Sequence, residues 1–383
     1  MRVSKRGEVE PFRVMDVMEA ARAAEEAGRD IVHMEVGQPA TPAPRAARAA
    51  LAEAMENGAL GYTVALGLPA LRRGIAELYG RWYDLDLNPE RVVITAGSSA
   101  AFTLAFVSLF EAGGRVGIGE PGYPSYRNIL KSLGCTPVGL RTEAAHRFQP
   151  TPDQIAPDLD GLLVASPANP SGTMLDRAAL AGLLEAARAR DVAFISDEIY
   201  HGLHYGDCAV SALELSDDVY VINSFSKYFS MTGWRIGWMV VPEAHIRRVE
   251  RLAQNLFICA SHASQIAALA ALDATEELDA NRMVYTANRA LLSKGLATAG
   301  FPDIAPPDGA FYLYADTRHF GVESAALADE ILRDAGVSVT PGLDFDPGRG
   351  HHTLRFSYAG ATARMEEGLA RLRAWYQARG VAP

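Results

Sequence analysis

From about Arg91 the chain alternates short β-branched runs with longer stretches rich in alanine and leucine. Arg91–Thr95 (RVVIT) has the composition of a strand, Gly97 breaks it, and Ser98–Phe110 then follows as an apolar helix opened by serines. Arg115–Ile118 is the next strand, followed by the turn-rich Glu120–Ser125. Leu162–Ala165 is a buried strand running into a Pro/Asn/Gly loop, Ser166–Gly172. Asp176 is placed to cap an amphipathic helix reaching about Arg190. Three more strands are predicted: Val192–Ser196 ending at Asp197, Tyr220–Asn223 ending at Ser224, and Arg235–Val241. Strands alternating with helices predict βαβ units and a largely parallel sheet, an α/β architecture.

From about Thr275 the texture changes. One long helix is expected to about Ala299. Gly309–Asp316 and Thr353–Tyr358 then read as strands of alternating polarity, and a closing helix starts near Ala361. This predicts a second, smaller α+β domain. There is no tandem repeat and no low-complexity linker.

Composition narrows the function. The chain has 383 residues, enough for two domains. It carries 36 basic against 46 acidic residues, a net charge of −10, which argues against a nucleic-acid partner or an anionic membrane surface. No apolar run is long enough to span a bilayer, and Met1–Glu10 has no apolar signal core, so a cytoplasmic protein is expected. Cys135, Cys208 and Cys259 are odd in number and far apart, which excludes a disulfide framework and matches no zinc spacing.

The predicted strands deliver polar groups to their C-terminal ends: Asn169, Asp197 and Ser224. Open α/β sheets bind ligands at that edge. Lys227 follows Ser224 at once, and Arg235 stands eight positions later in an apolar, aromatic stretch. Desolvation and a nearby cation both disfavour an ammonium, so this lysine can be a neutral nucleophile competent for Schiff-base chemistry. Taken alone, it reads equally as a surface lysine after a strand. A buried Asp197 needs a cationic or donor partner, and a pyridinium nitrogen is one such partner. Tyr200, three residues on, reaches the same ligand. Gly97–Ala100 places small residues and hydroxyls at a helix start, which suits a phosphate or, equally, a plain serine cap. Arg355 can grip a carboxylate with a bidentate fork or form a structural ion pair. Asp197, Glu198, His201 and His204 invite a metal reading, but no HExxH or facial motif is matched in order, and no metal is expected.

These stretches together resemble the class I/II aminotransferases, fold type I enzymes of pyridoxal 5′-phosphate (PLP), similar to aspartate aminotransferase. The resemblance runs through Val36–Pro39, Gly61–Thr63, Gly67–Arg72, Gly97–Ser99, Pro121–Pro124, Asn169–Gly172, Asp197–Tyr200, Ser224–Lys227, Gly233–Gly237, Gly309–Tyr312 and Arg355–Ser357, in order and over nearly the whole chain. It implies a large PLP-binding domain over residues 46–275 with a mainly parallel central sheet, and a small domain from 1–45 and 276–383. It implies that Lys227 holds PLP as a Schiff base, that Asp197 pairs with the ring nitrogen, and that Tyr200 and Asn169 bond the ring's phenolic oxygen. Tyr123 would stack on the ring. Ser98, Ser99, Ser224 and Arg235 would bind the phosphate, with Tyr62 serving the neighbouring subunit of a homodimer. Arg355, with Gly37 and Asn169, would bind the substrate carboxylate.

The expected reaction is transfer of an amino group between an L-amino acid and a 2-oxo acid with ping-pong kinetics. A carbon–sulfur β-lyase on the same fold is the alternative, although such relatives often carry histidine where Tyr200 stands. Two departures are visible. Ser171 replaces the commoner threonine of the turn, and Ser98–Ala100 lacks the lysine found in some relatives that prefer acidic substrates. With the apolar Val14–Met18 and Tyr62–Leu66, this leans toward a neutral or aromatic substrate side chain.

Overall fold

A computed structural model describes residues 1–58 and 60–380. Its strands, in chain order, are β1 (Val32–His33), β2 (Val92–Thr95), β3 (Arg115–Glu120), β4 (Thr136–Arg141), β5 (Gly161–Ala165), β6 (Ala193–Asp197), β7 (Tyr220–Ser224), β8 (Gly237–Val240), β9 (Tyr312–Asp316), β10 (Val337–Ser338), β11 (Thr340–Pro341) and β12 (Thr353–Ser357). Seven of them form one sheet in the order β2-β8-β7-β6-β5-β3-β4. The pairs from β7 across to β4 are parallel, and β8 is antiparallel to both its neighbours.

The sheet is buried on both faces because its strands are apolar on both. Val92 and Ile94 of β2 face one core and Val93 faces another; Val221 of β7 faces the first, Tyr220 and Ile222 the second. The second core is closed by the helix Gly97–Leu109, which contributes Phe102, Leu104 and Phe106, and by Pro124–Leu133 with Tyr126 and Leu130. The first is closed by Pro69–Tyr83 and Arg177–Arg188. Asp176 caps the latter helix by accepting from the Ala179 amide at 2.8 Å.

A second set of strands comes from the ends of the chain. β11, β12 and β9 form an antiparallel sheet, and β1 pairs in parallel with β10. The long helix Thr275–Gly295 passes into a 3-10 turn over Leu296–Ala299, and Thr362–Ala378 packs against it. The small-domain range expected to end at 383 includes 381–383, which lie outside the described residues. No described helix is long and apolar enough to cross a membrane.

The sequence-based boundaries shift in places for local reasons. β4 carries Pro137 and Gly139 at the half-exposed sheet edge, so neither composition nor alternation marks it as a strand. The predicted strand Arg235–Val241 starts only at Gly237, since Arg235 ends a 3-10 turn in the left-handed region.

Candidate active site

The sheet's topology brings the predicted polar groups to one edge. β6 ends at Asp197, β7 ends at Ser224, β2 leads into Gly97, and β5 leads into the loop with Asn169. The reversed strand completes the set. Gly237, the first residue of β8, pairs with Thr95 and with Ser224, so Arg235 arrives where the parallel strands end. A parallel strand starting after Arg235 would have placed it at the opposite edge.

Lys227 lies in the bend after β7. Its Nζ donates to the Gly37 carbonyl at 2.5 Å and stands 5.8 Å from the Tyr200 ring centre and 5.9 Å from that of Phe311. Burial of the amine, then the guanidinium groups of Arg355 and Arg235, hold its pKa down to about 7, against the opposing pull of Asp197. A large share of Lys227 is therefore neutral near pH 7.

Asp197 is 3% exposed. Its Oδ1 accepts from the Ile199 amide at 3.0 Å, and its Oδ2 accepts from the Tyr126 hydroxyl. Burial pushes its pKa up to about 6, and these two donors pull the other way. Tyr126 also packs edge-on against Tyr123, ring centres 5.3 Å apart. Sequence reasoning assigned Tyr126 no role. The signal was present in the i, i+3 spacing of Tyr123 and Tyr126 across a helix start, which puts both rings on one side.

Arg355, in the middle of β12, is 3% exposed and caged. Its Nη1 donates to Asn169 Oδ1 at 2.8 Å, and Nη2 donates to the Glu35 carbonyl at 2.5 Å. The rings of Tyr312 and Phe345 lie 4.3 and 4.7 Å from its central carbon. Its Nε is buried with no partner among the described residues. A buried guanidinium with an unmet donor calls for an acceptor, which a carboxylate supplies. Tyr200 hydrogen-bonds the Tyr312 hydroxyl at 2.7 Å. Tyr312 and Phe345 were likewise assigned no role from sequence.

The helix Gly97–Leu109 opens without a side-chain cap, its cap position being Ala96. The serine cap envisaged as an alternative for Ser98 is therefore absent, and the first amides are left for another acceptor. Gly97 has φ +74°, and a Cβ there would fall 2.3 Å from Arg235 Nη2. The guanidinium thus lies directly over the start of the helix. Ser98 is half-buried and Ser99 exposed. Ser224 is less available: its hydroxyl lies 2.8 Å from that of Ser226 and donates to the Ile236 carbonyl at 3.0 Å. Tyr62 is 82% exposed, so it does not join its own chain's site.

These residues fit PLP. A near-neutral amine suits its aldehyde, a buried carboxylate suits its ring nitrogen, and an uncapped helix start under an arginine suits its phosphate. The acid–histidine set behind Asp197 is differently engaged. Glu198 bonds Ser196, Ser211 and the Ala212 amide, and His201 bonds Tyr83 and the Ser166 carbonyl. Among the described residues, no group of three His, Cys, Asp or Glu is arranged to hold a metal ion.

Comparison with known proteins identifies the family. The family model "Aminotransferase class I and II" matches residues 29–372. The chain is 46% identical over 381 residues to a valine–pyruvate aminotransferase of Mycobacterium tuberculosis, covering 98% of both chains. It is 32% identical over 381 residues to an aspartate aminotransferase of Thermotoga maritima, covering 97% of this chain and 98% of that one. The crystal structure of an aminotransferase from Mycobacterium tuberculosis superposes with a TM-score of 0.96 at 46% identity, covering 99% of this chain and all of the other. With the family model, close relatives and the fold in agreement, the chain belongs to the class I and II aminotransferases and is a PLP-dependent enzyme of fold type I.

Proposed function

We propose that this aminotransferase exchanges an amino group between a neutral L-amino acid, aliphatic or aromatic, and a 2-oxo acid in two ping-pong half-reactions. One observation carries the amino-acid part. The Lys227 amine and the Arg355 guanidinium rest on carbonyls two residues apart, Gly37 O and Glu35 O. An α-amino acid presents its amine and its carboxylate on a single carbon, so a nucleophile and a carboxylate fork set this closely together match it.

Lys227, Asp197, Tyr200, Asn169, Tyr123, Ser98, Ser99, Ser224 and Arg235 would hold PLP, with Lys227 bonded to it covalently. When bound, PLP supplies an electron-withdrawing ring that takes up the electron pair left by the substrate's Cα–H bond. Asp197, oriented by Tyr126 and Ile199, would supply a negative charge to the ring nitrogen. Arg355 holds the substrate carboxylate with help from Asn169 and the Gly37 backbone. Asn169 accepts from Arg355 through Oδ1, which leaves its amide nitrogen as a donor. Lys227 Nζ would take the Cα proton and hold it for return; its depressed pKa suits both roles near neutral pH.

The neutral side chain draws support from Ser98–Ala100, which offers no lysine to a second carboxylate, and from the relative named for valine and pyruvate. The aspartate relative keeps an acidic substrate as the rival. Phe12, just before the first long helix, packs 5.9 Å from Tyr123 and adds an apolar surface there.

We also assign 46–275 to the large domain and 1–45 with 276–383 to the small one, a division that strand pairing supports. The cytoplasmic placement rests on three unpaired thiols. The exposed Tyr62, beside exposed Leu60 and Val64, supports a homodimer in which Tyr62 serves the partner's site. A half-reaction screen tests the substrate and homodimer readings together: each amino acid is mixed with the PLP form at protein concentrations spanning dimer and monomer. The expected result is loss of the lysine-bound cofactor's absorbance with neutral amino acids, only at dimer concentrations. Preference for aspartate, full activity in a monomer, or release of pyruvate and ammonia without an acceptor would each defeat one part.

A further inference from the structure

Tyr312, the first residue of β9, is 1% exposed and touches three functional groups at once. Its hydroxyl lies 2.7 Å from the Tyr200 hydroxyl. Its ring centre lies 4.3 Å from the Arg355 guanidinium carbon. Its hydroxyl also packs on Gly37: a Cβ added there would fall 2.0 Å from the Tyr312 oxygen. Gly37 in turn receives the Lys227 amine through its carbonyl. The sheet explains this reach. Tyr314 lies opposite Arg355 and Tyr312 opposite Ser357, so Tyr312 is the diagonal neighbour of Arg355 on the same face.

We propose that Tyr312 is a positioning residue with two separable parts, its hydroxyl orienting Tyr200 and its ring holding Arg355. The inference rests on the roles proposed above for Tyr200 and Arg355. A buried phenol such as Tyr200 has one proton to give. Once that proton is directed at a ligand, the oxygen needs a donor behind it to fix the rotor, and the Tyr312 hydroxyl stands in that place. The ring acts differently. A guanidinium over an aromatic face is attracted by the ring quadrupole, most strongly where water is excluded. With Phe345 also against it, Arg355 is held in one orientation, its Nε buried and without a partner among the described residues. Gly37 is required because no side chain fits between the segment that receives Lys227 and this phenol.

Two variants separate the parts. Tyr312→Phe removes only the hydroxyl, and Tyr312→Leu removes the ring as well; Tyr312→Met replaces the latter if it does not fold. Three quantities are read: calorimetric binding of isovalerate, a carboxylate without an amine, to the apoenzyme; the pH midpoint of the bound cofactor's absorbance; and kcat with KM. Tyr312→Phe is expected to bind isovalerate within about twofold of the parent, to shift the absorbance midpoint, and to lower kcat about tenfold. Tyr312→Leu is expected to weaken isovalerate by about tenfold or more and to raise KM for both substrates. Equal losses in every readout for both variants, or no change in either, would overturn the proposal. Arg355→Lys is the control. If it leaves isovalerate binding intact, the carboxylate assignment itself fails and takes the ring's part with it; if it weakens binding while the Tyr312 variants do not separate, only the Tyr312 proposal fails.

Discussion

The surroundings of Lys227 favour its neutral amine, and they come from distant parts of the chain. An unburied lysine titrates near 10.4, whereas here burial and two guanidinium groups bring the amine to about 7. The sequence pointed to Arg235, eight residues away, as the depressing cation. Arg355, far along the chain, acts more strongly, and only the folded structure brings it there. The sign of the pH dependence follows. Below about pH 7 the apoenzyme's amine is protonated and inert; above it the amine is neutral, so the rate at which apoenzyme captures PLP should rise through pH 7 and then level. Arg355→Gln removes the larger cation and should move that midpoint upward. A parental midpoint above 9, measured by stopped-flow absorbance, contradicts this reading of Lys227.

At the scale of elements, the helix start at Gly97 and the reversed strand β8 act as one unit. Gly97 adopts φ +74°, where an L side chain is strained, and a Cβ there meets Arg235. Gly97→Ala should therefore push the guanidinium off the helix start and weaken PLP binding roughly tenfold or more, the strain alone being about 1–2 kcal/mol. Gly113→Ala is a fitting comparison, since Gly113 also has positive φ but nothing within 4 Å of an added Cβ. Equilibrium dialysis of PLP separates them; equal affinity in the two variants would show that Gly97 serves the turn and not the phosphate end. Motif spacing made Gly97, Asp197, Lys227 and Arg235 readable in the sequence because each sits at or near a strand end. Tyr126 and Tyr312 were not readable in the same way. Their contacts span 71 and 112 residues of sequence separation; the i, i+3 spacing of Tyr123 and Tyr126 marks a shared side of a helix, but no local pattern names the distant partner of either tyrosine.

Over the whole molecule, the central sheet was readable because parallel strands buried on both faces leave continuous apolar runs. The edge strand β4, with its proline and glycine, left no such trace, and the antiparallel direction of β8 has no signature in composition. The site also depends on chain closure. The segment after β1 supplies Glu35 O and Gly37 O to Arg355 and Lys227, and β1 itself is held by β10 some 300 residues later. The proposed substrate site is thus assembled only when the first 40 residues return to the last hundred. All of this converges on Lys227 as the residue that would bond PLP in a working aminotransferase. Borohydride reduction of the purified holoenzyme, followed by peptide mass mapping, tests it most directly. The expected result is a phosphopyridoxyl group on Lys227 alone, lost in Lys227→Ala together with transamination. A label on another lysine, or an active Lys227→Ala enzyme, would contradict it.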